Sequence, residues 1–190
     1  LPEENILCEP IGRNTAPCIG LGAVHVASKY EDAVMIVLPS DHLIKHNDIF
    51  KDTFVNACDI AEKGENLVTV GITPNYPETG YGYIQIKNGD VLGFREKPNL
   101  DTAQEFLKSG DFYWNSGMFC FKADTFLNEL KIHEPEVYQS ALKAYELSSE
   151  NILPLAESLL IPSISVDYAV MEKTEKLQAV IGNFKWSDMG

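Results

Sequence analysis

Basic residues are scarce in this 190-residue sequence: 15 lysines and arginines stand against 28 acids, for a formal charge of -13. A surface of that sign repels nucleic acid and anionic lipid, so neither is expected as a partner. An anionic ligand would need a local cation, either one of the few basic side chains or a divalent metal held by surplus carboxylates. The acids would serve equally as solubilising charge. Cysteine is sparse as well: Cys8, Cys18, Cys58 and Cys120 lie far apart and form no CxxC pair. That argues against a zinc site and for reduced thiols packed as small apolar residues. No run approaches the roughly 20 apolar residues that a membrane helix requires. The N-terminus has neither the charged nor the apolar region of a secretory signal, and the expected location is the cytoplasm. There is no initiator Met, and Leu1-Pro2-Glu3-Glu4 reads as a start partway through a longer chain, although maturation would look the same. Walker, HExxH and post-strand GxGxxG motifs are also missing, as are repeats and low-complexity tracts.

What is present suits one globular domain with a sizeable core, since 45% of the residues are hydrophobic and 23% charged. Residues 5–9 (NILCE) predict a short strand, and GRNTAPCIGLGAVHVASKY a helix with Pro17 in its first turn. Residues 33–38 predict a second strand, Asp48 to Lys63 a helix terminated by Gly64, and residues 66–72 a third strand. Strand, helix, strand, helix, strand is the pattern of a parallel sheet covered on both faces. The rhythm then changes: YGYIQIKNGDVLGFREKP alternates around Asn88-Gly89, a hairpin signal. Asp101 can cap a short helix ended by Gly110, and FYWNSGMFCFKA reads as a further strand. Residues 123–160 read as several helices punctuated by Pro135 and Pro154; VDYAVMEKTE follows as a helix, then LQAVIG and KWSDMG. The sum is an α/β domain with an inserted β-hairpin.

In open α/β sheets ligands bind beyond the carboxyl ends of the strands. The apolar strand VMIVL stops abruptly at Pro-Ser-Asp-His, which makes Asp41 the first residue to weigh. It is either a loop or capping aspartate or a hard oxygen ligand for Mg²⁺ beside a phosphate-bearing substrate; His42 alone favours neither. Asp188, in WSDMG after another apolar strand, could meet it in the fold. In PETGYGYI the glycines around Tyr81 let backbone approach a ligand and the rings stack on one, or they merely give a flexible lead into the hairpin. In FREKP, adjacent Glu96 and Lys97 point to opposite faces unless the strand has already turned. Asn115 interrupts an aromatic strand, and its amide could meet a sugar hydroxyl or be satisfied by backbone. Arg13, at a helix N-terminus, could face an anion or pair with a neighbour. His25 and Met35 read as core.

The series EPIGRNTAP, VLPSDH, GITPNYPETGYGYI, FREKP, YWNSGMF, SVDYAVMEK and WSDMG resembles the bacterial mannose-1-phosphate guanylyltransferases, within the sugar-nucleotide pyrophosphorylases, from about residue 5 to Gly190. The resemblance implies a Rossmann-like nucleotide-diphospho-sugar transferase fold: a mixed, mostly parallel central sheet, helices on both faces and an inserted hairpin. It implies GTP and α-D-mannose 1-phosphate as substrates and GDP-mannose and pyrophosphate as products; the sequence is silent on oligomeric state, a homodimer being one possibility. By motif matching Asp41 and Asp188 would hold Mg²⁺, with Asp41, Lys97 and Asp188 as the catalytic set. Glu96 and Asn115 would bind mannose hydroxyls, Gly82 would offer its backbone, Tyr81 would line the sugar, and Lys97 would meet the sugar phosphate. Arg13, Asp167 and Tyr168 match motifs whose roles are structural or substrate-shaping.

One departure matters. Members of the family begin with a strand and a glycine-rich loop that cradles nucleotide phosphates, and residues 1–190 contain no counterpart. The expectation is a single, incomplete catalytic domain that does not turn over alone. Two rivals stand beside this reading: a thymidylyl- or uridylyltransferase acting on glucose 1-phosphate, and a non-catalytic sugar-nucleotide-binding regulatory module.

Overall fold

Phe50, Phe54, Ala57 and Ala61 recur at helical spacing, and the computed structural model, which describes residues 2–87 and 90–189, forms a helix there with Phe54, Ala57 and Ala61 buried. In chain order the helices are α1 (Thr15–Ala27), α2 (Asn47–Lys63), α3 (Leu100–Ser109), α4 (Ala123–His133), α5 (Pro135–Glu146) and α6 (Leu155–Leu160). The strands are β1 (Val34–Val37), β2 (His42–Lys45), β3 (Leu67–Ile72), β4 (Tyr83–Lys87), β5 (Asp90–Arg95), β6 (Phe112–Lys122), β7 (Leu177–Gly182) and β8 (Lys185–Asp188).

The chain divides into two compact units. One comprises the residues up to Ala33 together with Ala123–Thr174, and it is helical: α1 packs on α4 and α5, and α5 on α6. The other comprises Val34–Lys122 and the segment from Glu175 onward, and it holds every strand among the described residues.

In the strand-bearing unit the sheet order is β5-β4-β6-β3-β7, with β1 also on β6. The long strand β6 makes this arrangement: its start, Phe112 to Trp114, pairs with β4, its end, Phe119 to Lys122, pairs with β1, and β3 takes the opposite edge. Only β3 and β7 pair in parallel among the described strands. Strands β1, β3, β4 and β7 do run in one direction, but the antiparallel β6 separates β1 from β3. The α/β class is as expected, and the simple parallel ladder between successive strands is replaced by a mixed one. All six residues of β3 are buried, as a strand covered on both faces requires. Phe54, Ala57 and Ala61 of α2 and Ala103 of α3 join Val68, Val70, Met118, Cys120 and Val180 in one core cluster. Each large side chain so buried stabilises by ~1.5–3 kcal/mol.

Three local expectations are corrected. Residues 5–9 form no strand: Glu3–Asn5 is a single 3₁₀ turn, and Cys8 makes one isolated bridge to Ile152. The cap of α3 is Asn99, whose side chain accepts from Thr102 N at 2.9 Å, and Asp101 sits in the first turn instead. Gly110 does end α3 in the left-handed conformation, at φ 74°, but Gly64 ends α2 in an extended one. The helix expected over VDYAVMEKTE shrinks to a single π-helical turn, Asp167–Met171. The β4–β5 hairpin forms in antiparallel register from Tyr83↔Arg95 to Lys87↔Asp90, while its Asn88-Gly89 turn lies outside the described residues.

Candidate active site

Strands β2 and β8 form a separate two-stranded antiparallel ribbon that joins residues far apart in sequence: His42 opposes Asp188, and Ile44 opposes Trp186. Alternation puts His42, Ile44, Trp186 and Asp188 on the half-buried face. Asp41 lies just ahead of β2, anchored by Met189 N, which donates to its carbonyl at 3.1 Å. A carboxylate oxygen from each of Asp41 and Asp188 and a ring nitrogen of His42 all fall within 4.8 Å of one another. Two carboxylates at that spacing repel by roughly 1 kcal/mol in bulk water and several times more in a drier site. A divalent cation turns that repulsion into attraction.

Beside the cluster is a pocket bounded by Gly80 to Gly82, Glu96, Lys97 and Asn115 to Gly117, and on the ribbon side by His42, Trp186 and Asp188. Two irregularities in the strands shape it. The first is a bulge in β6: Thr69 and Gly71 of β3 oppose Phe119 and Asn115, so Ser116, Gly117 and Met118 are crowded against a single residue. Gly117 takes φ 69°, which an L side chain resists. Ser116, almost fully buried, donates its hydroxyl to Val70 O at 2.7 Å. The bulge re-aims Asn115, whose Oδ1 accepts from Thr69 Oγ1 at 3.1 Å and Gly117 N at 3.3 Å, so the amide is oriented by its oxygen. The second irregularity ends β5. Lys97 sits at φ 43°, a left-handed conformation that is costly for a non-glycine residue. The strand has turned by this point, so Glu96 and Lys97 share the pocket rather than opposite faces. Lys97 Nζ lies 3.1 Å from Glu96 Oε1, with the Glu96 side chain 8% exposed and that of Lys97 60%.

Gly82 is packed, not flexible. A side chain there would collide with Glu96 Oε2 and press on Asn115 and Phe94, and Gly82 O accepts from Asn115 N at 2.7 Å. The loop leading to it is ordered by Glu78, whose Oε1 accepts from Thr79 N at 2.8 Å and Gly80 N at 2.7 Å. Tyr81 packs edge-on against Trp114 and Trp186, with centroids at 5.5 and 5.3 Å, and Tyr76 adds a fourth ring on Trp114. Burial, reinforced by Tyr76, Asp188 and Glu78, pushes the Tyr81 phenol up to about 12, so it stays a protonated donor at neutral pH.

Seven of the sequence-derived residues, Asp41, Tyr81, Gly82, Glu96, Lys97, Asn115 and Asp188, therefore gather in the strand-bearing unit. Arg13 and Asp167 belong to the helical unit. There Arg13 Nε donates to Ile161 O at 2.6 Å, while Asp167 opens the π-helical turn and its carbonyl accepts from Glu172 N at 2.9 Å. Among the described residues Arg13 forms no ion pair, so the neighbouring salt bridge weighed for it is replaced by a backbone carbonyl. Tyr168 is 47% exposed beside it in the turn. Sequence reasoning gave no role to Trp186 or Thr69, whose partners lie 144 and 46 positions away.

The model of the family described as nucleotidyl transferase matches residues 2–190. This chain belongs to that family. It is 44% identical to the mannose-1-phosphate guanylyltransferase of Escherichia coli (strain K12) over 98% of its own length and 42% of that protein's. A solved Helicobacter pylori structure named mannose-6-phosphate isomerase superposes with TM-score 0.89 at 40% identity, covering 96% of this chain and 74% of that one. A Thermus thermophilus structure named mannose-1-phosphate geranyltransferase gives 0.86 at 32%, covering 96% and 54%. The chain spans about two-fifths of the length of the curated relatives it matches. Nucleotidyl transferases of this kind generally use a divalent metal, and the donor set fits one: the two carboxylates are hard oxygen ligands converging at one point. No helix among the described residues is long and apolar enough to cross a membrane.

Proposed function

We propose that this chain supplies the metal and sugar-phosphate subsites of a mannose-1-phosphate guanylyltransferase, which forms GDP-mannose and pyrophosphate from GTP and α-D-mannose 1-phosphate. The observation that carries the reading is the meeting of Asp41 and Asp188, 147 positions apart, beside a pocket that already holds Glu96, Lys97 and Asn115. The 44% identity to the E. coli enzyme supports the choice of sugar and base.

In the reaction an oxygen of the sugar phosphate attacks the α-phosphorus of GTP in line, and pyrophosphate departs. Little covalent work falls to the protein, and positioning with charge neutralisation carries catalysis. Asp41 and Asp188 would hold Mg²⁺, which would supply positive charge at the reacting phosphates that a chain of formal charge -13 has little of its own to give. Lys97 meets the sugar phosphate. Glu96 accepts from sugar hydroxyls, Asn115 presents its amide to another, and the packed backbone at Gly82 allows the ring to lie close. The Tyr81 ring walls the pocket.

Calorimetric titration of the chain with GDP-mannose, GDP-glucose and dTDP-glucose, with and without Mg²⁺, tests this. The expected result is Mg²⁺-dependent binding that prefers GDP-mannose and weakens in Asp41→Asn. Equal or tighter binding of dTDP-glucose, or no binding by a folded chain, overturns it.

A further inference from the structure

The carboxylate cluster contains a third candidate ligand, His42, and one hydrogen bond decides what its ring can do. Trp186 Nε1 donates to His42 Nδ1 at 3.1 Å. An indole N–H has no acceptor capacity, so Nδ1 must be unprotonated and a neutral ring must carry its proton on Nε2. The ring is held there: it stands edge-on to Trp186 at 86° with centroids 5.2 Å apart, and the two residues occupy the same face of the ribbon. Trp186 is itself braced by Tyr81 at 5.3 Å and Trp114 at 6.3 Å.

Metal coordination by histidine needs the opposite polarity. A ligating imidazole gives its lone pair to the ion through one nitrogen and donates the other N–H to a carboxylate or carbonyl. Here the second-sphere partner is a donor. The lone pair of Nδ1 is engaged by the indole, and Nε2 bears hydrogen, so neither nitrogen can coordinate while the Trp186 contact holds. What His42 offers is an N–H, and the residue lines the pocket shared with Lys97 and Asp188.

We propose that His42 is a phosphate-orienting hydrogen-bond donor and not a metal ligand: its Nε2–H donates to a phosphate oxygen of the bound sugar nucleotide, and Trp186 is the positioning residue that fixes the tautomer. The role rests on the sugar-nucleotide reading above. It divides the cluster into two functions, two carboxylates for the cation and one N–H for the anion that the cation accompanies.

Three measurements on the whole chain test it. Long-range ¹H–¹⁵N correlation spectra of the ligand-free protein, with His42 assigned by its loss in His42→Gln, should show the Nε2–H tautomer, and Trp186→Phe should turn it into a mixture. A dominant Nδ1–H form in the unsubstituted protein overturns the proposal without any variant being needed. Mn²⁺ titration followed by electron paramagnetic resonance should give His42→Gln and His42→Asn affinities within about 2-fold of the parent, while Asp188→Asn falls by at least about 10-fold. A loss in both His42 variants as large as in Asp188→Asn makes His42 a ligand and ends the idea. Calorimetry with GDP-mannose and Mg²⁺ should show His42→Asn weakened by about 10-fold, the size of one hydrogen bond to a charged group. His42→Gln, whose amide N–H reaches the place of Nε2–H, should recover most of it. Unchanged GDP-mannose affinity in His42→Asn overturns the donor role alone; absence of GDP-mannose binding by a folded, Mn²⁺-binding parent overturns the functional reading and the donor role together.

Discussion

The β2–β8 ribbon and the β4–β5 hairpin are both short antiparallel pairs, yet they differ in what joins them. In the hairpin Tyr83 meets Arg95, 12 positions away; in the ribbon His42 meets Asp188, 146 positions away. The hairpin is a local structure, announced by alternation and a turn dipeptide. The ribbon exists only once the rest of the strand-bearing unit is assembled, and it carries His42 and Asp188, with Asp41 at its edge. Where the two come together, the open end of the hairpin contributes Gly82 and Glu96 to the same pocket. The non-local pair holds the charge chemistry and the local pair shapes the space beside it.

Substitutions should separate these contributions. The largest effect is expected from Asp188→Asn, which keeps the volume and removes one charge: divalent-cation affinity should fall by at least ~10-fold in a Mn²⁺ titration, with thermal stability in the absence of metal unchanged or raised as carboxylate repulsion is relieved. Next comes Gly82→Ala. Its new Cβ overlaps Glu96 Oε2, and the overpacking should cost ~1–3 kcal/mol in urea denaturation and weaken GDP-mannose binding while leaving Mn²⁺ affinity near the parent value. A contrasting site on the hairpin is Leu92, 57% exposed: Leu92→Lys should change stability by no more than about 0.5 kcal/mol and leave both titrations alone.

The smallest effect lies outside both pairs. His25, which shares a 3.0 Å hydrogen bond with Tyr145 Oη in the helical unit, has its pKa lowered from 6.5 by burial and then by Lys29. The unfolded chain therefore takes up this proton at higher pH than the folded one. Its stabilising contribution is present above 6.5 and is lost as pH falls through the lower folded value. Thermal unfolding between pH 7 and 5 should show a decline that is shallower in His25→Gln.

The same contrast explains what was legible in the sequence. Helix α2, strand β3 and the alternating hairpin are visible because their signals repeat within a few residues. Asp41 stands out because it ends an apolar run in a polar loop, and Asp188 because it lies in a polar segment just after another apolar strand. Pairing was less visible: β1 and β3 look like neighbours until β6, 75 or more positions after β1, inserts between them. Asn99 and Asp101 are both capping residues, and only the path of the chain after Pro98 selects the first. The side-by-side placement of Glu96 and Lys97 depends on the left-handed Lys97, which its residue type does not announce. Trp186 could not be given a role, because its meaning is a hydrogen bond to a ring 144 positions earlier.

The position of β6 also sets a timetable for synthesis. The apolar, half-buried strand β1 emerges from the ribosome 85 residues before Lys122, the last residue of β6. At about 5–20 residues per second, that leaves β1 without its hydrogen-bonding partner for roughly 4–17 s. Through that interval Ile36 and its neighbours are open to chaperones and to the strands of other nascent chains. Slow codons between α2 and β6 would lengthen the exposure, so yield and aggregation of this protein should respond to translation speed in that stretch more than anywhere after residue 122.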